Sequence, residues 1–284
     1  MILWATSYIA LKIAFRGYDP MFVMFARQAV AAILFLPIFA HLRSRMAVRR
    51  KDIPWIILMA VFEPCLYFVF EAESLRRTSA SQAGMITSIL PLTVAVAAWF
   101  ILKERLTKRN IAGFGIAVTG AFLLSAFSSP DASAPSPAAG NFLEFVAMLC
   151  ATGYTITLKR LSSRYDPFYL TAIQCFVGSV FFLPIVLFTR GLPTAIHPVS
   201  AGAIVYLGAV VSMGAYGLYN YGISKVNASR GAAFVNLIPV FTLIAGRIVL
   251  GDRMNAVQWG ACGLVFAGVY LSEKGNGARN GTGR

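Results

Sequence analysis

A glutamate set directly before a proline, ten residues into an apolar stretch, is the side chain best placed to do chemistry in this sequence. It is Glu63, followed by Pro64. If the apolar stretches cross a membrane, any ionisable residue inside them is expensive to keep and marks a functional position by default. There are five: Lys12, Arg27, Glu63, Glu144 and Arg247. Glu63 suits a proton-coupling carboxylate or a contact to a cationic group on a solute. Its bland alternative is a neutral or arginine-paired glutamate that ties helices together. Lys12 and Arg27 join it as candidates for ion coupling, because either can pair with Glu63 or meet a carboxylate or phosphate. Lys12 lies near the end of its stretch, where snorkelling to the interface competes with a ligand role. For Arg27 the competing role is an inter-helical tie. Arg247, three residues from its stretch's end, reads as snorkelling. Glu144 reads as a first-turn carboxylate that suits the helix dipole.

Uncharged polar and aromatic side chains cluster on particular stretches. They are Trp4, Thr6, Ser7 and Tyr8; Tyr67; Thr87 and Ser88; Thr152, Tyr154 and Thr155; Tyr216, Tyr219 and Asn220; and Asn236. Facing lipid would leave them unsatisfied, so stretches one, three, four, six, eight and nine are expected to line an interior cavity. Stretches five and ten are expected to pack peripherally. For any single hydroxyl, bonding back to its own helix is the alternative. Pro91 and Pro239 remove backbone donors at matching depths, which suits either a pair of hinges or a packing kink. Other chemistries lack their parts. Four isolated cysteines form no disulfide framework. Two distant histidines argue against a metal site. No phosphate-binding loop is present for ATP-driven transport, and no nucleophile–base pair for an enzyme.

These residues are carried by an unusually apolar chain. Of 284 residues, 58% are hydrophobic and 13% charged, the mean hydropathy is +0.70 and the net charge is +14. A soluble domain usually carries about a quarter charged residues, and a disordered chain or a nucleic-acid binder would not be this apolar. Ten apolar stretches run over 2–15, 21–41, 53–70, 82–102, 111–127, 142–158, 168–188, 201–223, 231–250 and 256–271. Most approach the ~20 residues a helix needs to cross a bilayer, so the fold class is an all-α membrane protein. With the N-terminus in the cytoplasm, inside segments carry 17 of the 25 basic residues and outside segments five. The positive-inside rule then places both termini in the cytoplasm of a cell inner (plasma) membrane protein. No basic segment precedes the first stretch, which argues against a removable signal peptide. Residues 128–141, rich in Ser, Pro and Ala, read as a flexible linker. Residues 272–284 read as a disordered cytoplasmic tail.

The two sides of the linker resemble each other. Tyr18-Asp19-Pro20 recurs as Tyr165-Asp166-Pro167, and Phe35-Leu36-Pro37 as Phe182-Leu183-Pro184, 147 residues on. Ser81 and Ser229, Pro91 and Pro239, Leu102 and Leu250, Glu104 and Asp252, Arg105 and Arg253, Gly115 and Gly263, and Gly120 and Gly268 are all 148 apart. A near-constant offset signals duplication, with repeats at 1–127 and 142–271. Five is odd, so the second repeat enters the membrane inverted, the architecture in which a solute site lies between the halves. Trp4 aligns with Cys150, which leaves the first helix about one turn shorter than the sixth. Either the native start lies upstream of Met1 or that helix begins high in the membrane.

The order Trp4-Ala-Thr-Ser-Tyr-Ile-Ala-Leu-Lys12, then Pro91, then Leu102-Lys-Glu104-Arg105-Leu106, then Gly113-Phe-Gly115 with Gly120, resembles the drug/metabolite transporter superfamily, EamA-type branch. The likeness covers the chain in two copies, with Gly251-Asp252 where the first copy has Lys103-Glu104. It implies ten transmembrane helices in two inverted five-helix repeats around a central cavity. It also implies export or uptake of small metabolites, amino acids or drugs. The expected activity is therefore a secondary transporter, an exporter of small organic metabolites by alternating access with proton exchange at Glu63. An uncoupled facilitator and a non-transport scaffold are the alternatives. Expected partners are a small-molecule substrate, protons and the bilayer, with no nucleic acid and no cofactor. The expected oligomeric state is a monomer or a weak homodimer.

Overall fold

The computed structural model describes residues 1–45, 48–101, 103, 107–127, 130, 134–189, 192–252 and 254–277. They form ten helices and, among the described residues, no strand. These are α1 (Ile2–Phe15), α2 (Pro20–Arg45), α3 (Arg50–Leu75), α4 (Ala80–Ile101), α5 (Lys108–Ala126), α6 (Pro137–Leu161), α7 (Pro167–Phe188), α8 (Pro198–Lys225), α9 (228–250) and α10 (Ala256–Gly277). Six of them (α2, α3, α4, α6, α7 and α8) are each long and apolar enough to cross a membrane.

The repeated Tyr-Asp-Pro motif explains how α2 and α7 start. Asp19 Oδ1 accepts the Met21 N–H at 2.9 Å, and Asp166 Oδ1 accepts those of Phe168 and Tyr169 at 2.8 and 3.3 Å. A side-chain oxygen thereby satisfies backbone donors that a helix start leaves open. The proline behind it sits where a missing N–H does no harm.

Three boundaries differ most from the sequence expectation. α3 runs on through Leu75, beyond the apolar stretch that stops at 70, because Glu71 is buried against an arginine and the helix carries it inside. α6 begins at Pro137, within the stretch expected as linker, and its first turns are buried at Gly140 and Asn141. α10 continues to Gly277, into the expected tail. The motif residues Leu102, Glu104, Arg105 and Leu106, together with Arg253, 128–129, 131–133 and 278–284, lie outside the described residues.

The repeats interlock. α1 packs between α8 and α9 of the second repeat, and α6 packs against α3 and α4 of the first. Each repeat thus lends its first helix to the other. α2 packs on α7, α4 on α9 and α5 on α10. The last pair is held close by glycines: a Cβ on Gly120 would meet the Ala261 carbonyl, and one on Gly268 the Gly113 carbonyl. Gly115, Gly260 and Gly263 have no such neighbours.

The broken helices are also paired by symmetry. α3 opens into a wide turn at Val61–Leu66, and α8 does the same at Leu207–Ala215. α4 tightens to a 3-10 turn at Thr87–Ile89 just before Pro91, and α9 at Phe234–Asn236 just before Pro239. A proline removes one helical hydrogen bond and its ring crowds the carbonyl four residues back, so the preceding turn must readjust. Both prolines are buried.

Candidate functional site

The wide turn in α3 places the first residue of the site. Glu63 lies there with extended backbone (φ −151°, ψ 118°), a conformation that the following Pro64 favours. Its carbonyl therefore leaves the helical ladder and accepts Gln174 Nε2 of α7 at 2.9 Å. Its carboxyl lines a cavity of about 40 Å³ between the two repeats. A water needs ~10–15 Å³ of such volume, so the cavity has room for about three.

α1 presents Trp4, Ser7 and Tyr8 to the cavity, α2 presents Arg27, and α3 presents Glu63, Tyr67 and Glu71. α4 contributes Thr87 and Leu90; α6 contributes Met148, Ala151, Tyr154 and Thr155. α8 contributes Tyr216 and Tyr219, and α9 contributes Val235 and Ile238. Trp4 rests on Tyr219 and Tyr216 with ring centroids 4.7 and 5.0 Å away, so one wall is aromatic. The indole Nε1 of Trp4 is buried without a hydrogen-bond partner.

The opposite wall is ionic. Arg27, 1% exposed, lies 3.7 Å from Glu71, donates from Nε to Ser212 Oγ at 3.0 Å, and places its guanidinium 4.3 Å from the Phe68 ring centroid. Tyr67 donates to Glu71 Oε1 at 3.0 Å, and Tyr8 donates to Glu144 Oε1 at 2.9 Å. Behind the aromatic wall the groups are neutral. Tyr154 donates to Asn220, whose Nδ2 donates to Thr171 at 2.8 Å and to Gln174 at 3.2 Å.

Several expected wall residues stand elsewhere. Successive helical residues turn by about 100°, so Thr6, two residues from both Trp4 and Tyr8, points about 200° away from them; its hydroxyl meets Tyr206 at 2.6 Å. Ser88 bonds back to the Met85 carbonyl at 2.6 Å, and Thr152 bonds Thr93 at 2.6 Å. Asn220 stands one layer out, holding Tyr154. Asn236 sits in the 3-10 turn of α9, between the wall residues Val235 and Ile238. Lys12 is not in the cavity. It lines a separate, larger vestibule of about 760 Å³ with Arg16, Asp19, Arg76 and Asp252.

Two acids carry more than their sequence reading gave them. Glu71 lies beyond the expected third stretch, yet it is eight residues after Glu63 and four after Tyr67, which keeps it on one helical face. That spacing was the available signal. Glu144 was expected in a first turn; with α6 starting at Pro137 it lies two turns in and fully buried.

Above and below the cavity the repeats are tied by matching contacts. Tyr18 Oη accepts the backbone N–H of His197 at 2.9 Å, just ahead of α8. Tyr165 Oη accepts that of Arg49 at 3.1 Å, just ahead of α3, and donates to Asp52 at 2.9 Å.

The chain matches the model of the EamA-like transporter family twice, over residues 1–126 and 138–273. An uncharacterized transporter of Archaeoglobus fulgidus is 29% identical over 273 residues, 94% of each chain. One of Bacillus subtilis is 28% identical over 276 residues, covering 94% of this chain and 88% of the relative. A Streptantibioticus cattleyicolor protein named "Probable terminal-alkyne amino-acid exporter" is 27% identical over 280 residues, covering 96% and 91%. One solved structure shares the fold with a TM-score of 0.70 at 17% identity, covering 98% of this chain and 95% of that one. With two family matches spanning its interlocked repeats, the chain belongs to the EamA-like transporter family as a multi-pass membrane transporter.

Proposed function

We propose that the protein is a secondary transporter of the inner membrane, with both termini cytoplasmic, that exports small organic metabolites such as amino acids by alternating access. The observation that carries this reading is the cavity wall itself. Glu63 and Arg27 offer opposite charges to an ammonium and a carboxylate, beside an aromatic face. The indole N–H of Trp4 has no partner, and a buried unpaired donor costs ~1–3 kcal/mol, which a substrate acceptor would offset. Two acids, Glu63 and Glu71, share the cavity wall with one buried arginine, a balance that favours a substrate bearing a cationic group. The amino-acid exporter among the relatives adds support.

Room for about three waters cannot hold an amino acid, so the helices must part to admit one. The paired breaks in α3 and α8, and in α4 and α9, are where they would bend, with Pro91 and Pro239 as the hinges. Export is driven in this reading by proton exchange at Glu63. The partners required are the substrate, protons and the bilayer.

The test is transport in liposomes with an imposed pH gradient and a panel of radiolabelled amino acids. Wild-type protein should accumulate a substrate uphill, and Glu63→Gln should lose accumulation while keeping exchange. Uphill transport that survives in Glu63→Gln removes the proton role. Equal wild-type rates with and without a gradient identify an uncoupled facilitator.

A further inference from the structure

Glu144 is the buried carboxyl that the reading above does not use. Its Oε1 accepts the Tyr8 hydroxyl, and its Oε2 has no hydrogen-bond partner. The groups facing it are Tyr8 of α1 and Tyr67, Glu71 and Ser74 of α3. Beyond Glu71 stands Arg27 of α2, and beyond Tyr67 stands Tyr216 of α8. One turn back, the amides of Asn141 (α6) and Gln82 (α4) bond each other at 2.9 Å. Among these groups Arg27 alone is a cation, and it sits on the far side of Glu71.

A buried ion without a counter-charge costs several kcal/mol even after the surroundings relax. The single guanidinium contacts Glu71 and leaves Glu144 without one. A second orphan lies at the same spot, because Ser74 Oγ is also buried and unpartnered. One proton on Glu144 Oε2 removes the charge and turns that oxygen into a donor that Ser74 can accept.

We propose that Glu144 is a proton-binding site separate from Glu63, linked to the cavity through Tyr8. Tyr8 lines the cavity while its hydroxyl holds Oε1. With Tyr8 in place, Oε2 carries the proton. When an arriving substrate or the opening of the cavity displaces Tyr8, water reaches the carboxyl. The O–H bond at Oε2 then breaks, the proton passes to that water, and the electron pair stays on the carboxylate. Later in the cycle a hydronium ion from the other side of the membrane gives its proton to Oε2, re-forming the O–H bond, and the return of Tyr8 expels the water left behind. The site deepens the proton-coupled reading by giving each cycle a second proton.

Infrared spectroscopy of the purified full chain in lipid nanodiscs, titrated with pH, tests the site without any substrate. Its failure is therefore distinct from failure of the transport reading. Wild-type protein should show a protonated-carboxyl C=O band that is lost in Glu144→Gln and retained in Glu63→Gln. Tyr8→Phe removes one hydroxyl and leaves the packing in place. It should shift that band to higher frequency, because the carbonyl loses its donor. A carboxyl region unchanged by both Glu144→Gln and Tyr8→Phe overturns the proposal. If Glu144→Gln does not fold, the Tyr8→Phe shift alone decides the matter: a band that does not move overturns it.

Discussion

In the first repeat Arg27 of α2 crosses to Ser212, in the wide turn of α8, and pairs with Glu71 of α3. In the second repeat Gln174 of α7 crosses to the Glu63 carbonyl, in the wide turn of α3, and accepts from Asn220 of α8. Arg27 and Gln174 are 147 residues apart, the offset of the motif ahead of their helices; Glu71 and Asn220 are 149 apart. The second helix of each half therefore braces the broken helix of the other half in the same way. One brace is ionic and the other is built of amides. Symmetry supplies the scaffold, and the departure from symmetry puts charge on one side of the cavity. A wall with charge only on one side orients a polar solute; two identical walls would not.

Removing each brace separates the two chemistries. Arg27→Ala strips the counter-charge of the buried Glu71 and leaves it the Tyr67 hydroxyl; breaking a buried pair by deleting one partner costs ~3–5 kcal/mol. Gln174→Ala deletes neutral inter-helical bonds, which average ~0.6 and reach ~1.7 kcal/mol in a membrane protein. Thermal unfolding in detergent should rank Arg27→Ala well below Gln174→Ala. The double change Arg27→Gln with Glu71→Asn copies the second repeat into the first. It should regain most of the lost stability and still fail to concentrate substrate. Equal losses in the two alanine variants would show that the ionic brace is no different from the amide one.

A smaller effect is expected at the two tyrosine ties. Tyr18 holds the start of α8 by one bond, and Tyr165 holds the start of α3 by two. Losing a bond of ~0.6–1.7 kcal/mol shifts an equilibrium about three- to twentyfold. Tyr18→Phe should favour opening on the face that carries Arg16 and Arg76. Tyr165→Phe should favour the face that carries Arg160 and Arg164. With Ser7→Cys as a cavity reporter in a background free of the four native cysteines, a membrane-impermeant maleimide applied from each side reads the difference. Faster labelling from the same side in both variants would break the symmetric assignment.

How much of this was legible depended on what each feature needs. The ten helices and their duplication could be read because hydropathy and a fixed offset are properties of the chain alone. Helix phase was harder. A helix that is apolar all round gives no amphipathic stripe to orient it, so Thr6 looked as good as Ser7, and Thr152 as good as Tyr154. Glu71 was lost for a different reason. A charge ends an apolar stretch in a sequence scan, whereas in the fold Arg27 lets the helix continue past it. The Tyr-Asp-Pro motif was visible as a repeat, but the partners of its tyrosines are the starts of α8 and α3, far along the chain. Contacts between halves depend on the interlocking of α1 and α6, which no local pattern encodes.

The repeats also differ where each turns after its fourth helix, and Lys103→Gly there should change stability least. Lys103 and Gly251 are 148 residues apart, and both adopt left-handed backbone, with φ of 58° and 74°. That conformation costs a residue with a side chain ~1–2 kcal/mol, and a glycine nothing. Behind Gly251, Asp252 Oδ2 accepts the Ser81 N–H at 3.0 Å, so the turn also serves the start of α4. Gly251→Ala should therefore destabilise by ~1–2 kcal/mol and loosen that contact. Lys103→Gly relieves the strain but frees the unfolded chain, which offsets ~0.5–1 kcal/mol of the gain. Its melting temperature should stay level or rise slightly. Unfolding of the two variants beside wild type decides the matter. If Lys103→Gly destabilises as much as Gly251→Ala, the lysine side chain holds its turn by a contact of its own, and the two turns are alike in backbone only.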